Sequence, residues 1–331
     1  MITFNSIQDA QARIDKFIHR TPIVESTLLN HWSGHRIYFK AESLQKIGAF
    51  KARGGCNAVA RLMEKKKSPQ WIVANSSGNH AQAVAWASNQ HGLKSRIYMP
   101  ENVSRVKAQA TRFYGAELVF GKDRAEADQM VEEASWKQGV FWVPPFNHPD
   151  VIAGQGTSAA EAFKDLPDVD AVFAPCGGGG LLSGTLVATR TLSPASKVVG
   201  VEPLNANDAA QSLRQGSIHT LNASPDTLAD GARTLAVGDL TFEHLKELDD
   251  FYEVSEENLI YWTQWLNHLL KIRVEPTSAM CMQAVWEYLA HKSTSQRVLV
   301  ILSGGNMDQD TIQKIWSQDY LTICPGDVGN S

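Results

Sequence analysis

Four consecutive glycines, Gly177, Gly178, Gly179 and Gly180, join the apolar run Ala171-Val172-Phe173-Ala174 to a helix-like segment at 181–190. A strand-length apolar run, a glycine turn and a helix together make the βα unit of an α/β sheet. Residues without side chains let several backbone N–H groups converge on one point. The helix that follows adds the positive end of its dipole. The segment reads as an anion cradle, for phosphate above all. No Gly-Lys-Ser/Thr follows, so it is not a Walker A loop, and the spacing does not match G-x-G-x-x-G. A plain flexible loop is the competing reading; against it stands the entropic cost of ordering glycines between a strand and a helix.

The same alternation runs along the chain. Strand candidates at 37–40, 71–74, 95–99, 117–120, 171–174, 197–201 and 298–302 are interleaved with helix candidates at 79–91, 104–114, 125–137, 151–163, 181–190, 256–270 and 277–290. This predicts parallel α/β sheets, whose ligands gather beyond the carboxyl ends of the strands. A length of 331 residues suggests about two domains. Apolar content of 43% and charged content of 20% are those of a soluble globular protein. A net charge of −4 gives no polyanion signature, so no nucleic-acid partner is expected. Cys56, Cys176, Cys281 and Cys324 are far apart and form no C-x-x-C, which argues against a zinc site or disulfide scaffold and for a reducing cytoplasm. The first ten residues lack the basic and apolar regions of a signal peptide, and no apolar run reaches membrane-spanning length.

Three further polar motifs fall at strand ends or in adjacent loops. Gly48-Ala49-Phe50-Lys51-Ala52-Arg53-Gly54-Gly55 sets one lysine among small residues, before a helix at 57–62. Lysine forms Schiff bases with carbonyl cofactors, although alone Lys51 reads as a solvated charge. Asn75-Ser76-Ser77-Gly78-Asn79-His80 follows a strand and opens a helix, so its hydroxyls and N–H groups could hold a carboxylate or simply cap that helix. Ser303-Gly304-Gly305-Asn306 follows the last strand.

In this order the motifs resemble those of the fold type II pyridoxal-phosphate enzymes, in the serine/threonine dehydratase and serine racemase family, over roughly residues 5–315. Ala49 departs mildly from the usual serine or threonine two residues before the lysine. The resemblance implies an α/β protein with two parallel-type twisted sheets and flanking helices. Residues 1–69 and 143–316 would form a large cofactor-binding domain. Residues 70–142 would form a small domain inserted in it, with Pro144, Pro145 and Pro149 at the return crossing. Residues 317–331 would be a tail, without the regulatory domain that biosynthetic threonine dehydratases carry there.

The resemblance also implies roles. Lys51 would carry pyridoxal 5'-phosphate as a Schiff base and shuttle the Cα proton, with Phe50 beside the ring or merely in the core. Gly177, Gly178, Gly179 and Gly180 would bind the phosphate, and Asn79 would meet the ring 3′-oxygen. Ser76, Ser77 and His80 would hold the substrate carboxylate. Ser77 also matches the residue that protonates the face opposite the lysine in racemases. Ser303 would face the ring nitrogen, where a hydroxyl, unlike an Asp, cannot keep it protonated. Glu275 would lie near the cofactor. Arg124, an ordinary surface charge by itself, aligns with an arginine that meets a distal substrate carboxylate. Glu202, the Ala206 carbonyl and Asp208 would bind a divalent cation (Mg²⁺, Ca²⁺ or Mn²⁺), although their spacing alone also fits a solvated acidic loop. The activity implied is a cytoplasmic, homodimeric ammonia-lyase that takes a small hydroxy amino acid, L-serine or L-threonine, to pyruvate or 2-oxobutanoate. Serine racemase and L-threo-3-hydroxyaspartate dehydratase are the close alternatives. A cysteine synthase, which carries threonines where this chain has His80 and Gly180-Leu181, and a non-catalytic cofactor-binding protein are more distant ones.

Overall fold

The structure, a computed structural model, describes residues 1–65 and 69–325. It holds ten strands: β1 (Ile23–Glu25), β2 (Arg36–Ala41), β3 (Trp71–Asn75), β4 (Ser95–Pro100), β5 (Glu117–Gly121), β6 (Val140–Trp142), β7 (Ala171–Pro175), β8 (Lys197–Pro203), β9 (Asp250–Val254) and β10 (Arg297–Leu302). They form a six-stranded sheet in the order β1-β2-β10-β7-β8-β9 and a four-stranded sheet in the order β5-β4-β3-β6. Every pairing is parallel except β1 with β2, so the larger sheet is mixed. All strands of the smaller sheet lie within 71–142, and those of the larger sheet come from both flanks.

The central strands are covered on both faces. That is why β10 and β7 read as unbroken apolar runs and are buried almost throughout. The three strands that the sequence pattern does not predict, β1, β6 and β9, are all sheet edges. None is fully buried, so none needs such a run. The helix after the lysine motif is longer than predicted: it spans Lys51–Glu64, with Lys51 as its first residue. The predicted helix at 277–290 divides at Met280 into Pro276–Ala279 and Cys281–Ala290.

Two close helix crossings position the site. A Cβ on Gly154 would lie 2.6 Å from the Gly54 Cα, and one on Gly184 would lie 2.5 Å from the Gly156 amide nitrogen. The Lys51–Glu64 and Gly180–Leu192 helices therefore both press on the Pro149–Asp165 helix at points where no larger residue fits. Beneath the first of them lies a buried ion cluster. Arg53 reaches Glu42 and Glu161 at 2.7 Å each, and Lys40 completes the cluster through Glu161. It fastens β2 to both helices, because breaking one partner would strand a buried charge.

Residues 317–325, expected to be part of a tail, are docked on the Glu256–Leu270 helix. Gln264 Nε2 donates to the carbonyls of Ile315 and Gln318, and the Tyr261 hydroxyl and Trp265 indole donate to that of Ile323. The rest of that stretch, 326–331, lies outside the described residues. Among the described residues no helix is long and apolar enough to cross a membrane.

Candidate functional site

The lysine motif and the Ser303 motif are laced together. The Phe50 amide donates to the Ser303 carbonyl at 2.9 Å, Ala49 bridges Gly304, and the Gly305 amide donates to the Gly48 carbonyl at 3.1 Å. Asn306 Nδ2 donates to the Ile47 carbonyl at 2.7 Å. This clasp holds Ile47 at φ 59°, a left-handed backbone that costs a β-branched residue on the order of 1–3 kcal/mol. The strained turn throws Lys51 into the cavity at the head of its helix.

That cavity, of about 570 Å³, is lined by residues of all four motifs: Lys51, the 76–80 loop, Gly177 to Gly180, and Ser303 with Asn306. Lys51 Nζ donates to the Pro145 carbonyl at 2.6 Å and lies 5.2 Å from the centre of the Phe50 ring. Burial lowers its pKa to about 8, so much of it is a neutral amine at mildly alkaline pH.

The glycine loop is shaped by what surrounds it. Gly179, at φ 88°, caps the Gly180–Leu192 helix in a left-handed conformation. A Cβ on Gly178 would fall 2.2 Å from the Phe146 ring, so any side chain there would collide with the cavity wall. Thr241 Oγ1 donates to the Gly178 carbonyl at 2.7 Å and leaves the N–H groups of the turn for a ligand. A rigid turn of amides at a helix N-terminus beside a nucleophilic amine fits a phosphorylated carbonyl cofactor.

Facing this wall is the loop between β3 and the Asn79–Gln90 helix. Ser76 Oγ accepts from the Gly78 amide at 3.1 Å. Ser77 lines the cavity and, among the described residues, its hydroxyl has no protein partner. Asn79 Nδ2 donates to Glu275 at 3.3 Å, and its Oδ1 accepts from Asn306 Nδ2 at 2.8 Å. Burial pushes the Glu275 carboxyl up to about 7, with Asn79 and the Asn306 amide opposing the shift. The buried Ser303 hydroxyl is 2.9 Å from that of Ser278.

His80 does not offer its imidazole to a ligand. Its Nε2 donates to the Val143 carbonyl at 2.8 Å, and burial, with the Lys51 charge next, lowers its pKa to about 3. It is a neutral brace whose buried Nδ1 has no partner; as an acceptor that nitrogen cannot bond a carboxylate, which leaves the backbone N–H. Arg124 lines the cavity but is engaged by Asp128 at 3.0 Å, four residues along its own helix.

The residues that sequence reasoning missed are Phe146, Thr241, Lys107 and Asp230. Only the prolines near Phe146 gave any signal. The segment after β6 proves to be a wall of the site: Val143 takes His80, Pro145 takes Lys51 and Phe146 backs the glycines.

Glu202, Ala206 and Asp208 lie outside the cavity and are all buried. Glu202 accepts from the Ala210 amide at 2.7 Å, but neither Asp208 oxygen has a hydrogen-bond partner. Burial raises the Glu202 pKa, with the nearby Asp208 charge adding to the shift, and lifts that of Asp208 to about 7. Thr234 and the Val237 amide, both outside hydrogen-bond geometry, only partly offset the burial of Asp208. An orphaned buried carboxylate, Asp208, near a second one fits a hard cation, although among the described residues no third His, Cys, Asp or Glu side chain joins them.

A sequence profile described as pyridoxal-phosphate dependent enzyme matches residues 14–304. The chain is 42% identical to the L-threo-3-hydroxyaspartate ammonia-lyase of Saccharomyces cerevisiae, over 92% of this chain and 94% of that one. It is 39% identical to the serine racemase of Schizosaccharomyces pombe, over 96% and 98%. The solved structure of the T.th. threonine deaminase superposes with a TM-score of 0.87 at 41% identity, over 92% of this chain and 99% of that one.

Proposed function

The chain belongs to the pyridoxal-phosphate-dependent enzyme family, and on that premise we propose that it is an ammonia-lyase acting on L-serine or L-threonine. The observation that carries this reading is the presence of Lys51, a partly neutral amine, and the hydroxyl of Ser303 in the lining of one cavity. When bound, the cofactor supplies an electron sink for the substrate Cα. The Ser303–Ser278 hydroxyl pair contains no acid to hold a proton on the ring nitrogen. The sink is then weaker, which favours prompt loss of a β-leaving group. The Ser76–Asn79 loop holds the carboxylate and Lys51 takes the Cα proton. The Cα–H electron pair becomes the Cα=Cβ bond as the Cβ–O bond breaks, and the oxygen takes up the proton held by Lys51 and leaves as water. The enamine product tautomerises and hydrolyses to the ketoacid and ammonia.

The test is ketoacid release from L-serine, L-threonine, L-threo-3-hydroxyaspartate and D-serine. We expect L-serine or L-threonine to be fastest; no ketoacid from any of them sinks the lyase reading. A second reading, preference for 3-hydroxyaspartate, draws on the presence of Arg124 in the cavity wall and on the name of the yeast relative. It requires that 3-hydroxyaspartate be far the best substrate and that Arg124→Ala erase the preference.

Glu202, the Ala206 carbonyl and Asp208 are proposed to hold Mg²⁺, Ca²⁺ or Mn²⁺, supported by the orphaned Asp208 oxygens. An ion bound only to the folded state stabilises by mass action, about 2.7 kcal/mol at a hundredfold excess over Kd. Chelation is therefore expected to lower both Tm and activity by amounts that the added ion reverses. Asp208→Ala should melt low with or without the ion. Identical melting of chelated and loaded protein would make the site a plain acidic loop.

A further inference from the structure

Two sets of residues meet over the cavity. From the four-stranded sheet come the Ser76–Asn79 loop and the Arg105–Phe113 helix. From the other side comes segment 224–234, with the helical turn Asp230–Ala232. This segment also touches the glycine loop, since a Cβ on Gly177 would lie 2.8 Å from the Gly231 carbonyl. Lys107 joins the two sides. Its Nζ is 2.6 Å from Asp230 Oδ2 and 3.9 Å from Asp308 Oδ2. Among the described residues these are the only ion pairs linking a residue of 71–142 to one outside that stretch. Asp230 Oδ2 would also be 3.5 Å from a Cβ on Gly78, so the pair stands beside the substrate loop.

We propose that Lys107 is a positioning residue that clasps segment 224–234 over the cavity and thereby sets the affinity for the amino-acid substrate. An exposed pair of this kind contributes little. Asp230 is 49% exposed, but the Lys107 side chain is only 15% exposed and serves a second carboxylate, Asp308, that is 23% exposed. Without it, Asp230 and Asp308 lose the cation between them, and the segment is left with repulsion where it had attraction. The effect on KM rests on the proposed amino-acid reading; the effect on the segment itself does not.

The experiment uses the cofactor-loaded protein and the variants Lys107→Met, Asp230→Asn, their combination and Lys107→Arg. Lys107→Met and Asp230→Asn are each expected to raise KM about tenfold with a much smaller change in kcat. The double variant should be no worse than either single one, because one interaction is lost in all three. Lys107→Arg should bring KM back toward wild type. If Asp230→Asn leaves KM unchanged while Lys107→Met raises it, the lysine touches the substrate directly and the clasp is overturned. Multiplicative single effects overturn it as well. A second readout needs no turnover: tryptic cleavage after the exposed Arg233 should be faster in both single variants than in wild type. Unchanged cleavage rates at unchanged Tm would also refute the clasp, whichever substrate the enzyme takes.

Discussion

Lys51→Ala is expected to yield a folded protein with no visible cofactor absorbance above that of free cofactor and no measurable ketoacid release. Two lysines line the cavity, and electrostatics separate them. Burial lowers the Lys51 pKa to about 8, whereas Asp230 and Asp308 outweigh burial and raise that of Lys107. An ammonium held by carboxylates has no lone pair for a carbonyl carbon, so Lys107 cannot stand in. Loss of a general base alone costs about 10²–10⁴-fold, and loss of the covalent anchor adds to that. A lysine with a lowered pKa is charged below about 8 and neutral above it. The rate at which the wild-type apoprotein takes up pyridoxal phosphate should therefore rise as pH increases through about 8 and then level off. A retained absorbance band in Lys51→Ala would remove this lysine from the role.

Much of the site was legible because glycines, a lone lysine among small residues and Ser/Asn-rich turns each break the local pattern of strand and helix. The central strands were legible because burial on both faces leaves an unbroken apolar run, as in β10. The edges β1, β6 and β9 have no such requirement and carried no signal. The joints between motifs were harder still. Nothing local says that the Phe50 amide meets the Ser303 carbonyl, or that the segment after β6 turns its carbonyls to Lys51 and His80. The direction of a side chain was also hidden. His80 stands second in its helix, one place after the cavity-facing Asn79, and about 100° further round the axis its ring points into the protein. Lys107 carried no signal, because its partners lie more than a hundred residues away.

Ser77→Ala is the variant expected to separate elimination from racemisation. Racemisation needs a proton donor or acceptor on each face of Cα. Lys51 is proposed to supply one and the Ser77 hydroxyl, unpartnered in the same cavity, the other. Ser76 differs in that its oxygen already accepts from the Gly78 amide. Removing the Ser77 hydroxyl should reduce D-serine formation and D-serine turnover by about 10²-fold or more. Elimination from an L-substrate uses the lysine face, so a measurable part of ketoacid release should survive. KM is expected to rise, because the same loop is proposed to hold the carboxylate. In the wild-type enzyme ketoacid should form faster than D-serine. If chiral analysis finds D-serine forming faster from L-serine, the protein is a racemase first, and the weak electron sink inferred from Ser303 is not what decides its chemistry. If Ser77→Ala instead abolishes L-serine elimination while the cofactor band persists, Ser77 acts in the elimination itself, and the division of labour between the two faces is wrong.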